Sequence, residues 1–440
     1  MNRGSLIKMV VVLLILLSAS ANGQDILTLE EAIKIGLENN FNIQIARNSA
    51  KISSNNKGKG IAGFLPTLDV SGNYQLSNAE EESNSNFSYG NTETTNWGGS
   101  ISLNWTLFDG FKMFIDRKKF NELARLGEYR ARNIIENNVV AISKSYFNLV
   151  RQEQLVDVAR DSKDVSRTRL NKAKVRKELG GASSTDYLNA QVAYNSDQSS
   201  LLNQELQVTI AREQLNLILG RDPNTPVSIS KSISVPQLDL EIDDIQRLAN
   251  DRNSGLMVAY QNKAVADRNL HGAISPFLPR LSLNASYGYS DRTLAVDGAG
   301  FGDDIFTESK NASVGLLLSF NLFNGGMSKI DLQNARLEAR NQGLALQDAH
   351  NQLTGTVQQS YETFIKQQQL VELEEQNLIA ARQNLELIQD RYLIGAAGSL
   401  EFRDAQVSLI RAQTALIAAR FQARITRLEI SRLIGDLEIE

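Results

Sequence analysis

The sequence contains no cysteine, which excludes disulfides, thiolate metal sites and cysteine nucleophiles. Histidine is nearly absent too: His271 and His350 stand without the partners that a histidine-rich metal centre requires. There is no basic excess, since 46 Lys and Arg face 50 Asp and Glu for a formal net charge of −4, unlike a general nucleic-acid binder. No G-x-S-x-G, H-E-x-x-H or P-loop occurs, so nothing supports an enzyme, and no cofactor or metal is expected. A G-x-G-x-x-G spacing at 58–63 lies at the end of a predicted helix, without the preceding strand that a dinucleotide site needs.

Proline is scarce and its placement is informative. All six (Pro66, Pro223, Pro226, Pro236, Pro276, Pro279) fall before a strand-like stretch or in a central linker, and none lies in 67–222 or 280–440. Uninterrupted helices and central strands require that absence. Long apolar runs are missing except at 9–17, which follows Arg3 and Lys8 and precedes Ser18, Ala19, Ser20 and Ala21. This is the pattern of a secretory signal peptide over 1–23, too short to span a bilayer as a helix. No other stretch is long and apolar enough for a membrane helix, so membrane contact would have to come through strands.

What is present is a duplication. FLPTLDVSGNY at 64–74 matches FLPRLSLNASY at 277–287, an offset of 213; NWTLFDG at 104–110 matches SFNLFNG at 319–325, an offset of 215. Asn189-Ala190-Gln191-Val192 and Leu219-Gly220 recur as Asp404-Ala405-Gln406-Val407 and Ile434-Gly435. The expected organisation is a first repeat over 24–220, a linker over 221–237 and a second repeat over 238–440. Each repeat opens with a helix, predicted over 27–62 with Thr28 as N-cap and over 239–274.

Two strands follow in each repeat. Leu68, Val70, Gly72, Tyr74 and Leu76 alternate with polar residues; so do Ile101, Leu103, Trp105 and Leu107, then Leu281, Leu283, Ala285, Tyr287 and Tyr289 with Ser282, Asn284, Ser286 and Gly288, then Val314, Leu316, Leu318, Phe320 and Leu322 with Ser313, Gly315, Leu317, Ser319 and Asn321. A soluble sheet on a core shows the same period of two. Three features favour a transmembrane sheet: strands of about nine to eleven residues, aromatics near their ends (Tyr74, Trp105, Phe108, Tyr287, Phe320, Phe323), and the export signal. The connections at 78–97 and 290–310 read as long polar loops. Four strands cannot close a barrel and open edges are not tolerated in lipid, so several chains must share one barrel.

The stretch 111–179 predicts a helix of roughly 100 Å. Val357, Phe364, Val371, Leu378, Leu385 and Tyr392 recur every seven residues, matched by Ile142, Leu149, Val156, Lys163, Leu170 and Lys177. Such a stripe marks coiled-coil packing, here against Ala405, Leu409, Ala412, Leu416, Ala419 and Ala423. A coiled-coil scaffold without a pore remains the alternative for this part taken alone. The hairpin tips are 178–186 and 393–401, with Gly180 and Gly395 as C-caps and Ser184 and Ser399 as N-caps. Asp186 and Glu401 are capping charges on one reading. On the other, Glu401 and Asp404 share a helix face and would form acidic rings in an oligomer, selecting cations.

The repeat, F-L-P before each first strand, L-F-(D/N)-G at each strand-to-helix junction and the tip Arg391-Tyr392-Leu393-Ile394-Gly395 together resemble the TolC-like outer-membrane efflux protein family. The resemblance covers nearly all of the chain after the signal peptide. It implies an α+β membrane protein: a homotrimer with a 12-stranded transmembrane β-barrel, four strands per chain, continuous with a long periplasmic α-helical barrel. It implies a passive duct in the bacterial outer membrane, coupled through a periplasmic adaptor (membrane fusion) protein to an inner-membrane pump, with outer-membrane lipid around it. It places entrance acids at Glu401 and Asp404 and the tip tyrosine at Tyr392. The tips at Gly180, Gly181, Ser184, Gly395, Ala396, Gly398 and Ser399 would dock the adaptor. The family's basic latch residue falls on Ala397, so Arg391 or Arg403 would have to replace it.

Overall fold

Proline-free stretches of helical period fold as helices of repeated length. The computed structural model describes residues 26–80, 91–179, 184–296 and 304–437. The export signal, Gly180 and Gly181 lie outside them. In chain order the elements are α1 (Leu29–Asn39), α2 (Phe41–Asn55), β1 (Thr67–Glu80), β2 (Asn91–Asp109), α3 (Lys112–Glu178) and α4 (Ser184–Ile218). Then come α5 (Ile242–Arg252), α6 (Ser254–Gly272), a 3-10 turn (Ser275–Phe277), β3 (Arg280–Val296), β4 (Ile305–Ser319), α7 (Met327–Leu393) and α8 (Ser399–Leu433). Helices α1 and α5 have 11 residues each, α3 and α7 have 67, and α4 and α8 have 35.

The opening helices differ from expectation. Each of 27–62 and 239–274 is broken by an asparagine in extended conformation, Asn40 and Asn253. The Asn40 Oδ1 accepts from the Asn42 and Ile43 amides at 2.9 and 3.2 Å, while Nδ2 donates to the Ile218 carbonyl at 2.8 Å. Asn253 repeats this, accepting from the Leu256 amide at 3.0 Å and donating to the Leu433 carbonyl at 3.2 Å. Thus one buried amide caps a helix start and satisfies a helix end. Gly220 and Gly435 follow those ends at φ +70° and +67°; a Cβ there would sit 2.6 Å from the Asn39 carbonyl oxygen and 2.9 Å from that of Arg252. Thr28 is the expected N-cap, in a reciprocal box with Glu31.

The described residues divide into two compact units that cut across the repeats: those within 1–48, 130–256 and 349–440 form one, and those within 49–129 and 257–348 the other. The core of the first is built on Ile142, Leu149, Val156, Leu215 and Leu219, with Phe421 and Ile425 from α8. The seven-residue seam holds in α7 at Val357, Phe364 and Leu385. In α3 it leaves the expected positions beyond Val156. Lys163 is half-buried and Lys177 exposed, and burial passes to Ser162, Ser166, Arg169 and Ala173, because the lysine ammoniums keep to water. The linker runs against its own repeat, with the Leu27 amide donating to the Ser228 carbonyl at 2.8 Å and Asn216 Nδ2 to the Thr225 carbonyl at 2.8 Å.

The second unit holds one antiparallel sheet in the order β1-β2-β3-β4. Its register puts Leu68, Leu103, Ala285 and Val314 in one row, and Val70, Ile101, Tyr287 and Ala312 in the next on the same side. Asp69, Ser102, Ser286 and Ser313 form a row on the other side, where Ser71 bonds Ser100 at 2.9 Å and Ser286 bonds Ser313 at 2.8 Å. The apolar side is open on the outer strands, with Val70 and Val314 76% and 78% exposed, while Leu103, Leu283 and Ala285 on the inner strands are half-buried and the Trp105 indole donates to the Phe64 carbonyl at 3.1 Å. The strands run to 14, 19, 17 and 15 residues, longer than expected, because they continue into the stretches read as loops: Glu80 pairs with Asn91 and Leu294 with Ile305. A β-bulge between Thr106 and Phe108 takes Leu107 out of register and brings Phe108 opposite Leu281. β4 stops at Ser319, so Phe320, Leu322 and Phe323 belong to the exposed segment after it rather than to the strand. Gly110 and Gly325, at φ +69° and +70°, turn the chain at the two strand-to-helix junctions, with Asp109 Oδ1 accepting the Met113 amide at 3.0 Å.

Replacing either asparagine tests the clip. Asn40→Ala or Asn253→Ala strands a helix-end carbonyl and uncaps a helix, a cost of about 1–3 kcal/mol each in chemical denaturation. Asn→Asp at either site keeps the acceptor but not the donor, so it should recover only part of the loss; full recovery would refute the two-ended role.

Candidate functional site at the hairpin tips

Helix α7 ends in a left-handed glycine. Gly395 has φ +78°, and the Ala396 amide returns to the Arg391 carbonyl at 2.8 Å. Helix α8 starts after Gly398, whose amide donates to Glu401 Oε2 at 2.9 Å. Glu401 therefore acts as the capping charge, and the N-cap is Gly398 rather than Ser399. Ser399 is the first helical residue, and its hydroxyl accepts from Arg169 of α3. Ser184 is likewise the first residue of α4 rather than its cap, with Asp186 in the first turn as expected. Asp404 and Glu401 are both exposed, one turn apart on α8.

Tyr392 lies half-buried at the end of α7, its ring 5.3 Å from that of Phe402. The Arg176 guanidinium covers it at 5.5 Å. Leu385, Phe402 and Ala405 form the small core beneath, backed by Val165 and Leu409. A cavity of about 400 Å3 opens beside it, walled by Val165, Leu393 and Phe402 and by the charged Asp161, Arg169 and Lys172. Burial pulls the Arg169 guanidinium below the usual arginine range; Tyr392 opposes that shift and Arg403 adds to it.

Below the tip the helices are joined by a buried polar cluster. Arg403 of α8 grips Asp197 of α4 with two bonds, Nη1 to Oδ2 at 2.8 Å and Nη2 to Oδ1 at 2.9 Å. The Ser166 hydroxyl of α3 donates to the same carboxylate. Gln406 Nε2 donates to the Ser162 carbonyl at 3.0 Å and its Oε1 accepts from Arg403 at 3.2 Å. Asp197, Ser162, Ser166 and Gln406 are all buried. The cluster joins α3, α4 and α8. Arg391, by contrast, reaches the Ala396 carbonyl at 3.4 Å and no acid among the described residues. The sequence signal for the cluster lay in the seam of α4. Ala190, Ala193, Leu201, Val208, Ala211 and Leu215 are buried at coiled-coil spacing, and the one acid among them is Asp197. An acid within an apolar stripe needs a buried partner.

A model of the family described as outer membrane efflux protein matches residues 32–221 and 234–436. The chain is 22% identical to outer membrane protein TolC of Escherichia coli (strain K12) over 383 residues, 85% of this chain and 75% of that one. It is 20% identical to outer membrane efflux protein BepC of Brucella suis over 410 residues, 93% of this chain and 86% of the other. Among solved structures, the CmeC outer membrane channel of Campylobacter jejuni superposes with a TM-score of 0.79 at 13% identity, covering 94% of this chain and 87% of that one. VceC of Vibrio cholerae gives 0.73 at 17% identity, covering 93% and 97%. At these identities the structural likeness speaks for the fold.

The polar cluster makes an asymmetric prediction. Arg403→Ala leaves the buried Asp197 carboxylate without its cation, which costs about 3–5 kcal/mol. Asp197→Ala should cost less, because the half-buried Arg403 can turn toward water. Equal losses in denaturation of the two purified variants would contradict this account.

Proposed function

The chain belongs to the outer membrane efflux protein family, and on that premise we propose that it is the passive exit duct of a tripartite efflux or secretion system. Three copies would pair their sheet edges into one 12-stranded barrel, and the long helices would line a periplasmic tunnel. A periplasmic adaptor would couple the tunnel to an inner-membrane pump, docking at the tips formed by Gly180, Gly181, Ser184, Gly395, Ala396, Gly398 and Ser399. The mature chain would comprise repeats 24–220 and 238–440 joined by 221–237, after removal of 1–23.

The observation that carries this reading is the sheet. One side is apolar across all four strands and open on the outer two, and among the described residues β1 and β4 each have one unpaired edge. Trp105 and Tyr287 lie on that apolar side in line with Leu283 and Ile101, and Tyr74 pairs with Trp97. These aromatics, with Phe108, Phe320 and Phe323, would sit at the interfaces. No catalytic group is assigned.

At the tips, Glu401 and Asp404 would ring the entrance, with Asp186 and Tyr392 beside them. Charges ringed around a narrow pore set which ions enter. The basic residue missing at Ala397 is replaced in this reading by Arg403, which holds α8 to α3 and α4 through Asp197. Opening would require that grip to loosen or to move as one body.

Planar-bilayer recording tests both levels of the proposal. Glu401→Gln with Asp404→Asn should lower the cation-to-anion permeability ratio roughly twofold or more, and unchanged selectivity would sink the entrance assignment. Recovery of the mature protein as a soluble, detergent-independent species would sink the duct itself.

A further inference from the structure

Just past the end of β2 the backbone is strained at a residue that is not glycine. Phe111 has φ +67°, the one positive φ outside glycine among the described residues, and its ring is 55% exposed. A bulky residue in the left-handed region is strained, because its Cβ crowds the neighbouring carbonyl oxygen. Ordinary packing does not offset that strain, because the ring is mostly uncovered. What the strain achieves is direction. The Phe111 ring meets that of Phe108 edge-on at 5.0 Å, and Phe108 is aligned with Leu281 on the apolar side of the sheet. The apolar surface therefore continues past the strand end.

It continues to a cavity of about 360 Å3 whose apolar walls are Phe111, Ile115, Ile274 and Leu278. Gly110, Lys118, Arg268 and His271 complete the lining. Lys118 is exposed and makes no ion pair among the described residues. Arg268 meets Glu122 at 3.6 Å, and its Nε is buried without a hydrogen-bond partner. His271 uses Nδ1 on the Asp267 carbonyl at 2.6 Å, which leaves Nε2. The other nearby acids are occupied: Asp116 by Lys112 and Lys119, and Asp267 by Lys263. The cavity thus offers cationic N–H groups at one part of its wall and uncovered hydrocarbon at another.

We propose that this cavity holds the headgroup of an anionic glycerophospholipid from the periplasmic leaflet of the outer membrane. The phosphate would lie against Lys118 and Arg268, and the acyl chains would run over Phe111 and Phe108 along the apolar side of the sheet. A second copy of the chain is not the occupant. In the proposed barrel copies would pair at the edges β1 and β4, whereas this cavity adjoins the ends of the inner strands β2 and β3. A soluble anion would use the cations but not the exposed rings. The inference rests on the reading of the apolar sheet side as lipid-facing.

Native mass spectrometry of the delipidated oligomer in mixed micelles tests it, with phosphatidylglycerol and phosphatidylethanolamine supplied equally. Preferential retention of the anionic lipid is expected, falling roughly fivefold for each cation removed in Lys118→Gln and Arg268→Gln. Phe111→Gly suits the backbone and removes the ring, so it should keep the oligomer and lose retention of both lipids. Millimolar inorganic phosphate should not displace the bound lipid. Equal retention of the two lipids, no change in the cation variants, or displacement by phosphate would each overturn the site. Solubility without detergent, scored before lipid is added, would instead overturn the membrane reading on which it rests.

Discussion

The row Leu68, Leu103, Ala285 and Val314 crosses four strands, exposed at its two ends and half-buried on the inner strands, and no buried core residue among the described ones lies in it. In water an apolar surface of that extent drives association. In lipid the side chains are at ease, but the outer edges of β1 and β4 are not. Each unpaired N–H or C=O in hydrocarbon costs several kcal/mol, so further strands must supply the missing bonds. The opposite side, with Asp69, Ser102, Ser286 and Ser313 in a row, is suited to water. Once the family places this sheet in the outer membrane, lipid on one side, water on the other and closure by copies are what its alternation and its four strands require.

The helical unit meets a different difficulty. Helices of 35 and 67 residues have ends whose carbonyls need partners, and their seams alone do not fix where they stop. The same solution appears twice. Asn40 and Asn253 donate to the last turns of α4 and α8, and the left-handed Gly220 and Gly435 let those ends approach a neighbouring backbone carbonyl. A side chain at either glycine would meet backbone, which cannot swing aside. Close approach and capping are therefore linked, and each repeat carries both.

Much of this was legible in the sequence because the patterns had contrast. Period two, the heptad stripe of α7, Thr28 and the Asp109-Gly110 turn all follow local rules and are found where expected. The misses lie where contrast is lost. Residues 91–96 and 290–293 are polar at almost every position, so their alternation carries no signal, yet they pair in register with strands already formed. Asn40 and Asn253 read as ordinary helix residues because their partners lie 178 and 180 positions away. The bulge at Leu107 needs the partner strand to be seen at all. Asp197 was visible as an acid in an apolar stripe, but its partner Arg403 lies 206 residues on.

The tip region divides its helices unequally. α3, α4 and α8 share the buried cluster around Asp197, while α7 joins them through a small apolar core of Leu385 with Phe402 and Ala405, the Tyr392–Phe402 ring pair, Arg176 over Tyr392 and, further along, the exposed Arg420–Glu375 ion pair at 2.7 Å. The buried residues of α7 are few, Leu353, Val357, Phe364 and Leu385, whereas Leu370, Leu373, Ile379 and Leu387 are exposed. Exposed leucines at this density need cover, and their own chain does not provide it. In the proposed assembly that cover comes from another copy. The hold on α7 is then divided between a modest set of bonds within the chain and a larger apolar contact across chains. A movement of α7 in one copy would expose leucines unless its neighbour moved as well. Conformational change at the entrance would accordingly belong to the whole ring, with the Arg403–Asp197 grip keeping the rest of each protomer's tip together as it occurs.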